Sequence, residues 1–389
     1  MFKNRHIHTL QWFLSSLLMV LLTACSSSED GVGSAGHQPT MLTIYVYSPE
    51  RAASSQHSAP RRAETGNVNP IDDESKIDSL QIWIYETANK AFVGYLSTKE
   101  VTTLNMGEGA TYQLPVSDDF ASRRPEVNVY AQANVTATNC GIESDLNEAT
   151  TYTALMSGAK IIKNSTKDYF GLGNLQTSVP DEGLPMAGSL DTQTVVGEAP
   201  ALRVGTMSQV STVQLTRAVS KLRFVFAKTT GQPKVSITSI KMNAGMIPDV
   251  EYLFDKPESV TTIDYNTEAG DLLSSTIDDI NQTADPTHYI YFNQEAQEYE
   301  NLIDGANLTV RGPYYLRESD KQLAGTITYT IAGGEEKTAN FQMQKAGDFS
   351  RNHTWIVYAY YAGSGNLQVQ TVYVKNWENR EINHELYNW

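Results

Sequence analysis

Short segments in which apolar and polar positions alternate recur along the whole chain, and the first of them is the clearest. Within residues 41–47 the side chains of Leu42, Ile44 and Val46 occupy every second position. A β-strand turns alternate side chains to opposite faces, so these three would share one face. The pattern therefore predicts a strand with one buried face, and Ile and Val suit such a strand.

The same alternation predicts a series of further strands with short turns between them. In the first half of the chain we expect strands at residues 79–85, 92–96, 111–116, 127–133 and 212–215. In the second half we expect them at residues 222–226, 235–242, 289–292, 308–316, 327–331, 338–344, 355–361 and 367–374. One short helix is predicted within residues 146–160, with Leu155 and Met156 facing inward. Many short strands with few helices are typical of antiparallel β-sandwiches.

Three stretches lack the alternation and indicate how the chain is divided. Residues 26–40 are small and polar, which is typical of a flexible tether. Residues 48–75 carry prolines and small residues and form a loop of unusual length for a compact domain. Residues 189–206 contain Gly and Pro and indicate a soft boundary. We therefore expect a signal at residues 1–24, a tether at 25–40, an N-terminal sandwich at 41–205 and a C-terminal sandwich at 206–389.

The first 24 residues have the layout of an export signal. Lys3 and Arg5 precede a mostly apolar run that ends at Leu22, which is too short for a permanent membrane span. Small residues followed by Cys25 resemble a bacterial lipobox. This resemblance implies that the signal is removed and that the Cys25 thiol carries fatty acyl chains such as palmitate, which hold the protein on a membrane. A plain secretory signal with a chance cysteine is the alternative.

Composition limits the classes of partner. The 389 residues are enough for two domains of ordinary size, and 40% of them are hydrophobic, which allows a sizeable core. The formal net charge is −15, and it becomes −17 when the signal with its two cationic side chains is removed. Such an acidic chain is a poor candidate for binding nucleic acid. If Cys25 carries lipid, Cys140 has no disulfide partner.

The sequence carries no recognisable catalytic or metal-binding motif. The five histidines after the signal are scattered, and Cys140 alone cannot provide the ligand spacing of a zinc site. The glycines at 171 and 173 neither follow a strand nor open a helix, as a phosphate loop requires. The contiguous acids at residues 72–74 are interpreted as solvated loop charge. We therefore predict neither an enzyme nor a bound metal or cofactor.

The long loop contains arginines that an Arg-specific protease is able to reach, because such enzymes need an extended, accessible segment. A cut after Arg51, Arg61 or Arg62 would separate residues 41–47 from the rest of the chain. Loss of that strand would expose apolar surface and leave N–H and C=O groups without partners. The resulting groove would accept a strand from another molecule. An ordinary solvated loop is the alternative interpretation of these arginines.

In their order along the chain, these features resemble the fimbrillins, the subunits of type V pili. The matching motifs are the lipobox at Cys25, the strand 42–46, the arginine-containing loop, and residues 75–85 (SKIDSLQIWIY), 184–188 (LPMAG), 215–222 (LTRAVSKL), 351–355 (RNHTW) and 374–377 (VKNW). The resemblance implies an all-β fold of two transthyretin-like antiparallel β-sandwich domains with few short helices. It also implies a lipoprotein precursor at the outer membrane and a mature form in a fimbria on the cell surface.

The resemblance further implies how such a precursor is processed. An Arg-specific protease removes the first strand, here Leu42, Ile44 and Val46 with their neighbours, and a strand of another fimbrial subunit replaces it in a homo- or heteropolymer. Arg62 is the first choice for the cut because a small residue follows it, and Arg61 and Arg51 come next. Residues 367–374 and the tail 378–389 both match the region that supplies the donor strand.

The leading hypothesis is a structural subunit of an adhesive fimbria. A second is a fimbrial anchor that keeps its lipid, or an accessory or tip protein. A third is a surface glycan-binding lipoprotein in which Trp83, Trp355, Trp377 and Trp389 stack on sugar rings, although the strand patterns favour packing roles for Trp83 and Trp355.

Overall fold

The computed structural model describes residues 39–47, 74, 76–99, 109–286, 290–293, 298–301, 308–343, 345–363 and 365–374. All of the described residues lie in one compact unit of the chain. Across the described residues the secondary structure is mostly β, with three short α-helices. The all-β fold class predicted from the alternating pattern is therefore confirmed.

Two five-stranded sheets are built from the first half of the described chain. The strands are β1 (Thr40–Tyr47), β2 (Ser79–Glu86), β3 (Phe92–Lys99), β4 (Gly109–Val116), β5 (Val127–Ala133), β6 (Lys160–Ile162), β7 (Met186–Gln193), β8 (Val195–Glu198), β9 (Ala201–Val204), β10 (Thr212–Gln214) and β11 (Thr216–Arg217). The first sheet contains β10, β1, β9 and β8, with β4 on the other side of β1. The second sheet has the order β11-β7-β5-β2-β3, and β6 pairs elsewhere.

The second half of the described chain forms two further large sheets. The strands are β12 (Ser220–Thr229), β13 (Val235–Met242), β14 (Val250–Tyr252), β15 (Gly270–Asp271), β16 (Gln282–Thr283), β17 (Ile290–Asn293), β18 (Glu298–Asn301), β19 (Thr309–Leu316), β20 (Ala324–Ile331), β21 (Lys337–Gln342), β22 (Thr354–Tyr361) and β23 (Gln368–Val374). The third sheet has the order β16-β12-β22-β23, with β19 also beside β12, and the fourth has the order β15-β13-β20-β21. Two small pairs, β14-β6 and β17-β18, complete the topology.

Each pair of large sheets encloses its own buried apolar cluster. Leu42 of β1 and Ile82 of β2 belong to the cluster between the first and second sheets. Phe224 of β12 and Ile327 of β20 belong to the cluster between the third and fourth sheets. Most strand pairs are antiparallel, but β1 runs parallel to β9 and β10, and β12 runs parallel to β16 and β22. The division into two domains at residue 205 stays a prediction, and β10 and β11 pair with strands that lie before it.

The helices are short and are α1 (Asp118–Arg123), α2 (Ala137–Cys140) and α3 (Tyr152–Gly158). The predicted helix within residues 146–160 is confirmed as α3, with Leu155 and Met156 buried as expected. It begins later than the predicted range because Thr151 is its N-cap, whose side chain accepts a hydrogen bond from the Ala154 N–H at 3.2 Å.

The soft boundary at residues 189–206 stays a prediction. This stretch contains the end of β7 and the hairpin of β8 and β9. Gly197 lies within β8 opposite Leu202, with a φ of 101°, and Pro200 lies in the turn between β8 and β9. The hairpin matters because β9 is a direct neighbour of β1.

Candidate functional site

The first strand of the fold has hydrogen-bonded neighbours along both of its edges. On one edge β1 pairs antiparallel with β4 over its whole length, from Thr40 opposite Val116 to Tyr47 opposite Gly109. On the other edge β9 covers the first half of β1 and β10 covers the second half. The Met41 N–H donates to the Pro200 carbonyl at 2.8 Å, where the β8–β9 hairpin turns. β1 is therefore an interior strand of its sheet.

The predicted buried face of β1 is confirmed. Leu42, Ile44 and Val46 are each 0% exposed and share one apolar cluster with Leu114 of β4 and Leu202 of β9. The outward residues of the strand are only partly covered. We call the position that β1 occupies between β4 on one side and β9 and β10 on the other the β1 slot.

An empty β1 slot would be costly for the fold. Exposing three fully buried aliphatic side chains costs roughly 1.5–3 kcal/mol each. Backbone N–H and C=O groups on both walls would lose their partners in addition. The whole stability of a typical domain is about 5–15 kcal/mol. The slot must therefore be filled, by β1 or by another strand, for the first sandwich to stay well folded.

The other predicted site residues lie outside the described residues. These are the acylation site Cys25, the candidate cleavage sites Arg51, Arg61 and Arg62, and the tail 378–389. Their positions along the chain are nevertheless informative. The three arginines lie between the end of β1 at Tyr47 and Glu74, the first residue described after the loop. One cut after any of them separates β1 from everything that follows.

Glu74 is fixed in a buried cluster of charged side chains, which corrects its interpretation as solvated loop charge. Glu74 and Lys221 are both 0% exposed, and the Lys221 ammonium donates to both Glu74 carboxylate oxygens at 3.0 Å. The Tyr315 hydroxyl donates to Glu74 Oε1, and Arg217 Nε donates to the Glu74 carbonyl at 2.7 Å. We call Glu74, Arg217, Lys221, Arg223 and Tyr315 the Glu74 cluster.

Burial dominates the electrostatics of the Glu74 cluster. It lowers the pKa of Lys221 to about 8, although the Glu74 carboxylate acts in the opposite direction. Burial also lowers the pKa of Arg223 and raises the pKa of Tyr315 above its usual range. Lys221 and Arg223 come from β12, Arg217 from β11 and Tyr315 from β19. The cluster therefore fixes the downstream end of the loop to strands of both halves of the fold.

Replacing Glu74 with Ala is expected to lower the free energy of unfolding by roughly 3–5 kcal/mol, because Lys221 would remain buried without its carboxylate partner. Urea denaturation of the purified protein measures the loss. The matched control is Lys345→Ala, which removes a surface ion pair with Asp348 in which Lys345 is 81% exposed. That variant should change the free energy by about 1 kcal/mol or less. Equal effects of the two variants would contradict the assigned role of Glu74.

The two tryptophans within the described residues do not form a sugar platform. Trp83 is 0% and Trp355 is 1% exposed. Each indole N–H donates to a carbonyl, that of Trp83 to Asn147 at 3.0 Å and that of Trp355 to Asp348 at 3.2 Å. A ring that stacks on a sugar needs an open face, so these two are packing residues. Trp377 and Trp389 lie outside the described residues.

Three further features of the described residues concern metal ions, membranes and the thiol. No group of three or more His, Cys, Asp or Glu side chains is placed there to hold a metal ion. None of the helices in that part of the chain is both long and apolar enough to cross a membrane. Cys140 is fully buried, and burial raises the pKa of its thiol.

The fold and the β1 slot define a class of protein in which the first strand of the described fold is an interior strand joined to the rest by a single loop. Residues 52–238 match the family model of the major fimbrial subunit protein (FimA), which spans just under half of the chain. The resemblance to fimbrillins is thus confirmed over these residues. The match supports a structural role in a cell-surface fimbria together with other fimbrial subunits.

Several solved structures are similar to this chain over most of its length, and two of them are described as fimbrial proteins. One is the tip fimbrial protein Mfa3 from Porphyromonas gingivalis, at 12% identity and a TM-score of 0.48, with 87% of this chain and 99% of that chain covered. Another is a fimbrial assembly protein from Parabacteroides distasonis, at 10% identity and a TM-score of 0.44, with 86% of this chain and 99% of that chain covered. A search of the curated proteins finds no match.

Proposed function

We propose that the chain is a structural, non-enzymatic subunit of an adhesive cell-surface fimbria that assembles by strand exchange. The precursor is exported as an outer-membrane lipoprotein acylated at Cys25. An Arg-specific protease cuts the loop, β1 leaves with its lipid, and a strand of a neighbouring subunit enters the β1 slot. The observation that carries this proposal is that β1 is bonded on both edges and fully buried on one face.

The connectivity of the chain supports the cleavage step. β1 lies at the N-terminal end of the described fold, and only the loop between Tyr47 and Glu74 joins it to the remaining strands. Every other interior strand has chain on both sides and would need two cuts for release. The Glu74 cluster then holds the new N-terminal region on the fold, so that a cut in the loop detaches β1 alone.

The geometry of the β1 slot supports the exchange step. Its two walls differ, since a strand in it must run antiparallel to β4 and parallel to β9 and β10. A strand of a second molecule that satisfies both walls restores the backbone hydrogen bonds and covers the apolar floor. Addition of a strand to open sheet edges is a known mode of recognition in which the backbone supplies affinity and alternate side chains supply specificity.

Of the two candidate donor segments, one is a strand of the described fold and the other lies outside the described residues. Residues 368–374 form β23, which lies at the edge of the third sheet and pairs antiparallel with β22. Just before it, Leu367 is buried, and its N–H donates to the Tyr329 hydroxyl at 3.0 Å. Donation of this segment would require β23 to leave β22. The tail 378–389 lies outside the described residues and remains the other candidate.

Treating the purified precursor with an Arg-specific protease in the presence of its partner subunits tests the proposal. We expect loss of the segment that ends at Arg51, Arg61 or Arg62, followed by multimers that resist SDS. A variant with all three arginines replaced by lysine keeps the charge and should form none of these multimers. A wild-type chain that is cut in the loop and yet stays monomeric with its partners would contradict the proposal.

A further inference from the structure

The outward face of the β1 slot contains a notch that an aromatic ring fills. Gly109 of β4 lies diagonally across from Tyr45 of β1, because Tyr45 is opposite Thr111 and Tyr47 is opposite Gly109. A Cβ atom placed on Gly109 would overlap with Oη, Cζ and Cε1 of the Tyr45 ring. The ring thus occupies the space that any other residue at position 109 would need for its side chain.

The inward face of the slot leaves the register of its occupant weakly defined. Leu42, Ile44 and Val46 are aliphatic side chains of similar size on one face. A slip by one residue would turn them outward, but a slip by two residues keeps the same face inward. A second determinant is needed to distinguish such two-residue slips. The Gly109 notch supplies it, because only an occupant with an aromatic ring at the Tyr45 position fills the notch.

We propose that Gly109 is a specificity-determining residue of the β1 slot, which selects an aromatic side chain of the incoming strand, and that Tyr373 of a second copy of this chain is that side chain. This inference rests on the proposed strand exchange. Residues 371–374 (TVYV) repeat the residue types of residues 43–46 (TIYV) in the same order. With Tyr373 over Gly109, Val372 and Val374 take the positions of Ile44 and Val46.

One further feature of residues 367–376 favours this assignment. Tyr373 is the one aromatic residue in the segment, so a slip by two residues would bring Thr371 or Lys375 to the notch. The segment lies in β23 at the edge of its sheet, and its donation requires β23 to leave β22. In the tail, Leu386 and Tyr387 are followed by Asn388, which would put an amide at the buried Val46 position. At the Leu42 position β23 carries Gln370, so the fit is best in the second half of the slot.

The first test uses the intact precursor and does not depend on the proposed function. Gly109→Ala should lower the Tm by about 3 °C, because the added Cβ atom must displace the Tyr45 ring. In a protein that already carries Tyr45→Ala, the same change should lower the Tm by only about 1 °C or less. The matched control is Gly94→Ala on β3, where an added Cβ would meet Leu114 Cδ2 at 3.6 Å, an ordinary contact. If Gly109→Ala lowers the Tm equally with and without the Tyr45 ring, the claim that this ring fills the notch at Gly109 is wrong.

The second test cuts the precursor with an Arg-specific protease in the presence of one of two synthetic peptides, residues 367–376 or the same peptide with Tyr373→Ala, so that a peptide is available to replace β1 as it leaves. We expect the tyrosine peptide to bind about fivefold more tightly, which corresponds to a cross-strand pair of about 1 kcal/mol. Protein with Gly109→Ala should bind the two peptides with less than a twofold difference. Binding of a peptide of residues 39–47 but not of residues 367–376 would overturn the assignment of Tyr373. Failure to bind either peptide would overturn the proposed function itself.

Discussion

A precursor in which Ile44 is replaced by aspartate is expected to lose most of its stability. Ile44 is 0% exposed and lies in the middle of β1, opposite Tyr112 of β4 and among the side chains of the first core. A carboxylate there has no cationic partner and must be buried charged or take up a proton, at a cost of several kcal/mol in either case. Urea denaturation followed by fluorescence measures the loss.

The control for this prediction is Thr43→Asp on the same strand. Thr43 points to the other face of β1 and is partly exposed, so the same carboxylate there stays hydrated. We expect a change of about 1 kcal/mol or less, which is typical of surface substitutions and of differences in strand propensity. If the two variants unfold at the same urea concentration, the inward face of β1 does not hold the first sandwich together.

A chain that begins at Ala63, and therefore lacks β1, is expected to be rescued by a peptide of residues 39–47. Without the strand, the slot exposes its apolar floor and the unpaired backbone groups of β4, β9 and β10. The peptide binds the folded chain and not the unfolded one, so its binding stabilises the fold by mass action. We expect the Tm to rise by about 5 °C or more at saturating peptide.

A peptide of the same composition provides the control for the rescue. In it the leucine, isoleucine and valine are moved to three consecutive positions, so that no register places all three on the inward face. Length, charge and overall hydrophobicity remain the same, so any remaining rescue would report non-specific binding. If the two peptides stabilise the chain equally, or if the shortened chain is as stable as the precursor, the slot does not need an occupant.

The sequence alone was sufficient to predict β1 and its orientation, because a one-sided buried strand has a period of two that no other element shares. Leu42, Ile44 and Val46 are buried as that pattern requires. The neighbours of β1 were harder to predict. β8 and β9 are four residues each, too short to show a period, and the Gly and Pro of this hairpin indicated a boundary instead.

The Glu74 cluster was also missed, and the reason is physical. Glu74 follows two other acids in a stretch without apolar periodicity, and such a run is usually solvated. Its basic partners Lys221 and Arg223 did carry a signal, since they alternate with apolar residues in a strand that is buried on both faces. Buried cations need a nearby carboxylate. The sequence does not show which of the many acids supplies it, because the two partners are far apart along the chain.

The N-terminal residue of the protein recovered from purified cell-surface fimbriae tests the removal of β1 most directly. Mass spectrometry of the intact subunit, together with terminal sequencing, should find a chain that starts just after Arg51, Arg61 or Arg62, with Ala63 the first choice, and no peptide from residues 40–47. A subunit within the fimbrial shaft that still begins with acylated Cys25 would contradict the account and identify the chain as an anchor that keeps its first strand.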